Sequence, residues 1–212
     1  MKKTVIAVCL AGLLSTSASM AQSNTVHDIQ QQWAQISYQM PEDKQLDALK
    51  TLIDTAKQRV ADNPGDAASL TWLAIVQAST AKAKGGLGAL DYAKAARDNF
   101  KRAIELDETV LEGSALTSLA ALYHKVPGWP VSFGDDDEAE SLFKRALEVN
   151  PQGIDVNFFY AEFLFDDGDY QQARHYLEKA SQAAPRPDRP LADEGRHKAI
   201  DELKARVDKK LG

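Results

Sequence analysis

A phrase that returns at a fixed interval restricts this chain more than any other feature. From Ala139 to Pro151 the sequence reads AESLFKRALEVNP, and 34 residues later ARHYLEKASQAAP runs from Ala173 to Pro185. An earlier copy, ARDNFKRAIELDE, begins at Ala96. Each copy sets an alanine, a large apolar residue four positions on, and a second alanine three further. The triples are Ala96, Phe100 and Ala103; Ala139, Phe143 and Ala146; Ala173, Leu177 and Ala180. Three-and-four spacing lines such residues along one face of a helix. A fixed period of this length marks a repeated supersecondary unit that buries its apolar face only against its neighbours. The expectation is an all-α chain of antiparallel helix hairpins stacked as a solenoid.

Each marked helix needs a partner before it. Tyr160-Ala161, Leu119-Ala120 and Leu73-Ala74 supply it, each a large residue beside a small one, followed by Leu164, Tyr123 and Gln77 respectively. Two helices that approach closely need a small side chain where they cross, and alanine is the residue that favours helix most. Ala74, Ala120 and Ala161 therefore join the nine residues of the triples as the packing set.

These residues resemble the tetratricopeptide repeat (TPR) family over about Pro64 to Pro185. Pro64, Pro151 and Pro185 stand where a repeat closes, while the first repeat departs by ending in Asp107-Glu108. The resemblance implies a concave surface formed by the first helix of each hairpin. Thr71 and Ile75, then Thr117, Ala121 and His124, then Phe158, Glu162 and Phe165 would line it. Chaperone-binding members hold a C-terminal carboxylate there with lysine, asparagine and arginine, a set absent from these positions. The implied partner is instead a peptide, an apolar segment of another protein or a small apolar ligand.

Spacing shows something the family pattern does not require. From the small residue of the first helix to that of the second is 12 positions in the third repeat, 19 in the second and 22 in the first. About ten and seven extra residues therefore enter the bends of the first two hairpins, at 81–92 and 125–137. Insertions at equivalent places gather on one edge, often the binding edge. The first bend, AKAKGGLGALDY, reads as a glycine-containing loop. The second, KVPGWPVSFGDDD, carries Trp129 and Phe133, whose rings are expected either to seal the local core or to close a ligand site.

The flanks read as caps. Residues 1–21 have a basic start at Lys2 and Lys3, an apolar run from Thr4 to Leu14 and small residues before a cleavage point after Ala21, the pattern of a secretory signal peptide. Its removal takes the formal charge from −6 to −8 and takes away Cys9, the one cysteine. A periplasmic protein held together by its core rather than by disulfides is expected. Residues 22–63 form two capping helices, 64–185 three repeats, and 186–212 a proline-rich linker with a last capping helix.

The remaining residues offer no constellation that carries chemistry. His27, His124, His175 and His197 form no metal pair on a helix. The acidic run Asp135 to Glu138 lacks the alternating ligands of a calcium loop and suits a helix start. Neither a phosphate-binding glycine loop nor a nucleophile elbow is present, and an acidic body without a basic stripe does not suit nucleic acid. No catalysis and no cofactor are expected.

The order of parts further resembles the T component associated with tripartite ATP-independent periplasmic (TRAP) transporters. The Pro-Gly-Trp-Pro-x-Ser-Phe-Gly loop before an acidic helix start and the Pro-Asp-Arg-Pro-Leu-Ala-Asp ending carry that likeness. It implies a helper that meets a solute-binding protein or passes on a small apolar ligand, often as an oligomer. The lipid-bearing cysteine of such members is missing here. The functional expectation is thus an exported protein-binding scaffold, with a transport accessory as the alternative.

Overall fold

The computed structural model describes residues 25–212, and the segment read as a signal peptide lies outside the described residues. Among the described residues nine α-helices follow one another: α1 (Val26–Gln39), α2 (Glu42–Asp62), α3 (Ala67–Lys84), α4 (Leu90–Leu106), α5 (Val110–Lys125), α6 (Asp136–Val149), α7 (Ile154–Asp167), α8 (Tyr170–Ser181) and α9 (Pro190–Leu211). No strand occurs among the described residues. Local chemistry starts and stops these helices. Thr25 and Asp28 form a reciprocal capping box on α1, with bonds of 2.9 and 3.1 Å. Asp66, Asp135 and Asp169 accept from the first-turn amides of Ala68, Glu138 and Gln172. Gly168, at φ 90°, ends α7 in the left-handed conformation and lets Asp169 N–H reach the Leu164 carbonyl at 2.9 Å.

Consecutive helices pair as hairpins α3/α4, α5/α6 and α7/α8, and each first helix also meets the next one. The C-terminal ends of α5 and α7 lie together, joined by His124 and Lys125 to Asp166, so the first helices run parallel and the bends share one edge. Ala74, Ala96, Phe100, Ala103, Ala120, Ala139, Phe143, Ala146, Ala161, Ala173, Leu177 and Ala180 are all at 0 % exposure. Alanines let the backbones approach, and Phe100, Phe143 and Leu177 fill the space beside them. Phe143 touches Tyr160 and Phe163, with ring centroids 5.4 and 5.8 Å away.

The segments read as caps continue the stack. The α1/α2 pair forms one more hairpin against α3, with its own core of Ile29, Leu49, Leu52, Ile53, Ala56 and Trp72. At the other end, Ile200, Leu203 and Val207 of α9 enter the main core beside α8.

The bend at 81–92 differs from the loop expected there. α3 runs on to Lys84 and α4 starts at Leu90, leaving Gly85 to Ala89, of which Leu87–Ala89 is a 3-10 turn. Most of the insertion lengthens two helices. Ala and Lys are strong helix formers, and the two glycines, at φ 61° and 60°, supply the break.

One entry turn is strained. Leu111 and Glu112 have φ of 49° and 58°, and Gly113 follows at 74°. Non-glycine residues avoid this region because Cβ crowds the following carbonyl. The turn also serves to set α5 against α6: a Cβ at Gly113 would stand 3.2 Å from Val149 Cγ1. Gly113→Ala is expected to cost about 1–2 kcal/mol, read from the midpoint of a urea unfolding curve.

Candidate functional site

The bend between α5 and α6 is the long irregular segment at the shared edge, and its backbone is braced. Gly134 N–H donates to the Pro127 carbonyl at 3.0 Å, Val131 N–H to Gly128 at 3.0 Å, and Asp135 N–H to Tyr123 at 3.2 Å. A Cβ on Gly134 would run into the Val126 carbonyl oxygen at 1.8 Å, so only glycine fits. The Trp129–Pro130 bond is cis. Phe133 packs edge-on to Tyr123, 5.6 Å between centroids, and the Arg97 guanidinium covers its face at 4.6 Å. The two rings expected to act together therefore part company. Phe133 anchors the bend, while Trp129 is 90 % exposed and Val131 55 %.

A polar tie lies beneath the loop. His124 Nδ1 sits 2.7 Å from Asp136 of α6, and Nε2 3.1 Å from Asp166 at the end of α7. Both bonds form together only when both ring nitrogens carry hydrogen. Lys125 Nζ reaches Asp166 at 2.6 Å and Glu162 at 3.6 Å. Burial works against the charge on Asp166, but the bonds from Lys125 and His124 outweigh it and hold its carboxyl below the ordinary value. His175 is exposed.

The face expected to lie open to a partner is partly closed. Thr71 and Thr117 are buried, each hydroxyl bonded back to its own helix at the carbonyls of Ala67 and Gly113. Phe158 is 6 % exposed, because Arg196 of α9 spreads over it and Phe159 at 4.4 Å from each ring. Arg206 covers Phe165 at 4.3 Å. Ile75, Ala121, Glu162 and Phe165 keep partial exposure.

Sequence reasoning missed the residues that do this covering. Asp155, in the first turn of α7, is gripped by Arg186 at 2.6 Å and Arg196 at 2.7 Å, and Arg186 also pairs with Asp193 at 2.6 Å. Burial would raise the Asp155 pKa, but Arg196, Arg186 and Arg189 override it and press the carboxyl far below the usual range. The Pro-Asp-Arg-Pro run was the signal. Arg186 just before it and Arg196 just after it supply cationic groups to the very face whose own positions lack them.

The remaining linker residues join the two ends of the stack. Gln31 of α1 donates to the Asp188 carbonyl at 2.8 Å, and the Tyr38 ring lies against Gly195 of α9, where a Cβ would be 2.2 Å from it.

Residues 131–193, from the Trp129 bend into the start of α9, match the family model described as tetratricopeptide repeat. That segment is similar to tetratricopeptide repeats. The crystal structure of yeast Tom70 has a similar fold, with a TM-score of 0.52 and 21 % sequence identity. The match covers 92 % of this chain and 39 % of that one, so this chain spans well under half the length of its solved neighbour. No curated protein matches it in sequence. Stacked repeats of this kind suit protein interaction, and no described helix is long and apolar enough to cross a membrane.

Proposed function

We propose that this repeat protein is a non-catalytic scaffold, exported to the periplasm, that docks onto a partner protein through the α5/α6 bend. One observation carries the reading: Trp129 stands 90 % exposed on a backbone held by its own hydrogen bonds. An exposed tryptophan gains nothing for the fold, yet a pre-ordered one loses little entropy on binding, which is how interface anchors work. Asp135 to Glu138 stand exposed at the start of α6 beside it, so the complementary surface is an apolar socket with a basic rim. The leader-like first 21 residues support export. A solute-binding protein as the partner would make the chain a transport accessory, and the Pro-Gly-Trp-Pro loop supports that narrower version. The small apolar ligand gains no such support, since Trp129 and Phe133 point to different surroundings.

Trp129→Ala is expected to abolish recovery of a stoichiometric envelope partner after mild crosslinking, while moving stability by no more than about 0.5 kcal/mol. Equal recovery with the alanine variant would overturn the reading. A large loss of stability would show instead that the ring serves packing.

A further inference from the structure

One imidazole fastens three helices beneath the Trp129 bend. His124 stands in the last turn of α5, Asp136 is the first residue of α6, and Asp166 lies in the last turn of α7. Nδ1 is 2.7 Å from Asp136 and Nε2 3.1 Å from Asp166. An ionised carboxylate only accepts, so each contact is a hydrogen bond when the facing nitrogen carries hydrogen. A neutral ring has one N–H and one lone pair. Whichever nitrogen keeps the hydrogen, the other then turns its lone pair to a carboxylate. The ring has little room to swing away, since Phe163 packs against it at 5.1 Å and 12 % of the side chain is exposed.

The charges around the ring come from every element packed there. Asp136 belongs to α6, Asp166 and Glu162 to α7, and Lys125 of α5 reaches Asp166 at 2.6 Å and Glu162 at 3.6 Å. With the ring charged, two cations meet three carboxylates; loss of its proton leaves Lys125 as the one cation of this group. Asp135, Asp137 and Glu138, exposed beside Asp136, add further negative charge. The α4 cations turn to rings instead, Arg97 to Phe133 at 4.6 Å and Lys101 to Tyr123 at 5.8 Å. Burial works against the charge on Asp166, yet the bonds from Lys125 and His124 hold its carboxyl below the ordinary value. It is therefore ionised throughout the range in which a histidine changes charge.

We propose that His124 is a proton-operated clasp: as imidazolium it joins α6 and α7 to the end of α5, and on losing a proton it lets go of one of them. The count of donors fixes the sign. The clasp is closed on the acid side of the His124 titration and opens as the pH rises through it. The bend between α5 and α6 is the part that responds. Asp135, next to Asp136 in the chain, donates its N–H to the carbonyl of Tyr123, next to His124, at 3.2 Å, and Gly134 N–H donates to Pro127 at 3.0 Å. The residues bracing the bend are thus the chain neighbours of those the clasp joins. Its bearing on docking rests on the reading of Trp129 given above; the clasp itself rests on His124, Asp136 and Asp166 alone.

Long-range ¹H–¹⁵N spectra of the histidine rings, recorded on the whole protein between about pH 5.5 and 8.5, test this directly. At the acid end both His124 ring nitrogens should show the shift of a protonated nitrogen, and at the alkaline end one of them. The Gly134 and Asp135 amide resonances are expected to move with the same midpoint. Their protection from hydrogen exchange, corrected for the intrinsic rate, should fall about 3-fold across it. The exposed His27 and His175 should titrate without moving the bend. His124→Gln should abolish the response, and Asp136→Asn, whose amide can face either form of the ring, should reduce it. In Trp129→Ala the same amides should still follow His124, which keeps a failure of the docking reading apart from a failure of the clasp. The proposal is overturned if His124 keeps one hydrogen, or both, over the whole range, if the bend amides ignore its midpoint, or if His124→Gln responds as the wild type does.

Discussion

Phe143→Ala is expected to lower the free energy of unfolding by about 3–5 kcal/mol, the toll of removing a large buried ring. The ring is at 0 % exposure between the alanines of α6 and the aromatic face of α7. Its neighbours have little freedom to collapse into the vacancy. Tyr160 is held on its far side by Tyr176, 4.7 Å away, and Phe163 by His124 at 5.1 Å. Urea unfolding followed by circular dichroism measures the loss. A change under about 1 kcal/mol would mean that the hairpins are not locked through this residue. Trp129→Ala, set beside it, removes a larger side chain at almost no cost, and the contrast separates what holds the stack from what projects from it.

Asp155→Ala is the second large effect, at about 3 kcal/mol. Removing this carboxylate leaves Arg186, Arg189 and Arg196 together with Asp193 alone, and strips the clamp that ties the linker to α7. The pH dependence gives a more specific signature. The folded-state pKa of Asp155 lies far below its unfolded value of about 3.9. Its contribution is therefore complete above the unfolded pKa and is lost as the pH falls through the folded one. Wild-type stability should decline steadily below about pH 4, whereas Asp155→Asn should lose less over the same interval. Parallel acid limbs for the two proteins would show that the clamp contributes nothing.

The hairpins were legible in the sequence because their physical requirement is local. A small side chain where two helices cross, repeated in register, leaves few alternatives, and Ala74, Ala120 and Ala161 were readable as partners of the later triples. The Ala81–Lys84 run reads as loop because Gly85 and Gly86 follow it, yet its alanines and lysines favour helix strongly enough to carry α3 through it. Leu111 and Glu112 carry no mark of their left-handed backbone; only Gly113 hints at it. The covering of Phe158 and the meeting of α1 with α9 were not legible at all. Both depend on how far each hairpin turns relative to the last, a small rotation accumulated over the whole stack. For the same reason Arg186, Arg189 and Arg196 read as linker and surface residues, although the fold gathers them at one place. Trp129 was found from composition and turn residues, but its outward direction depends on Phe133 taking the site beside Tyr123.

The contact between α1 and α9 has a mechanical consequence. Tension applied across these two helices would load a single carbonyl bond from Gln31 and one tyrosine ring before it reached any alanine-locked pair. Under an optical trap the first extension should be short and occur at low force, with the hairpins yielding only afterwards, so that the molecule behaves as a spring with a weak latch rather than as a uniform rod.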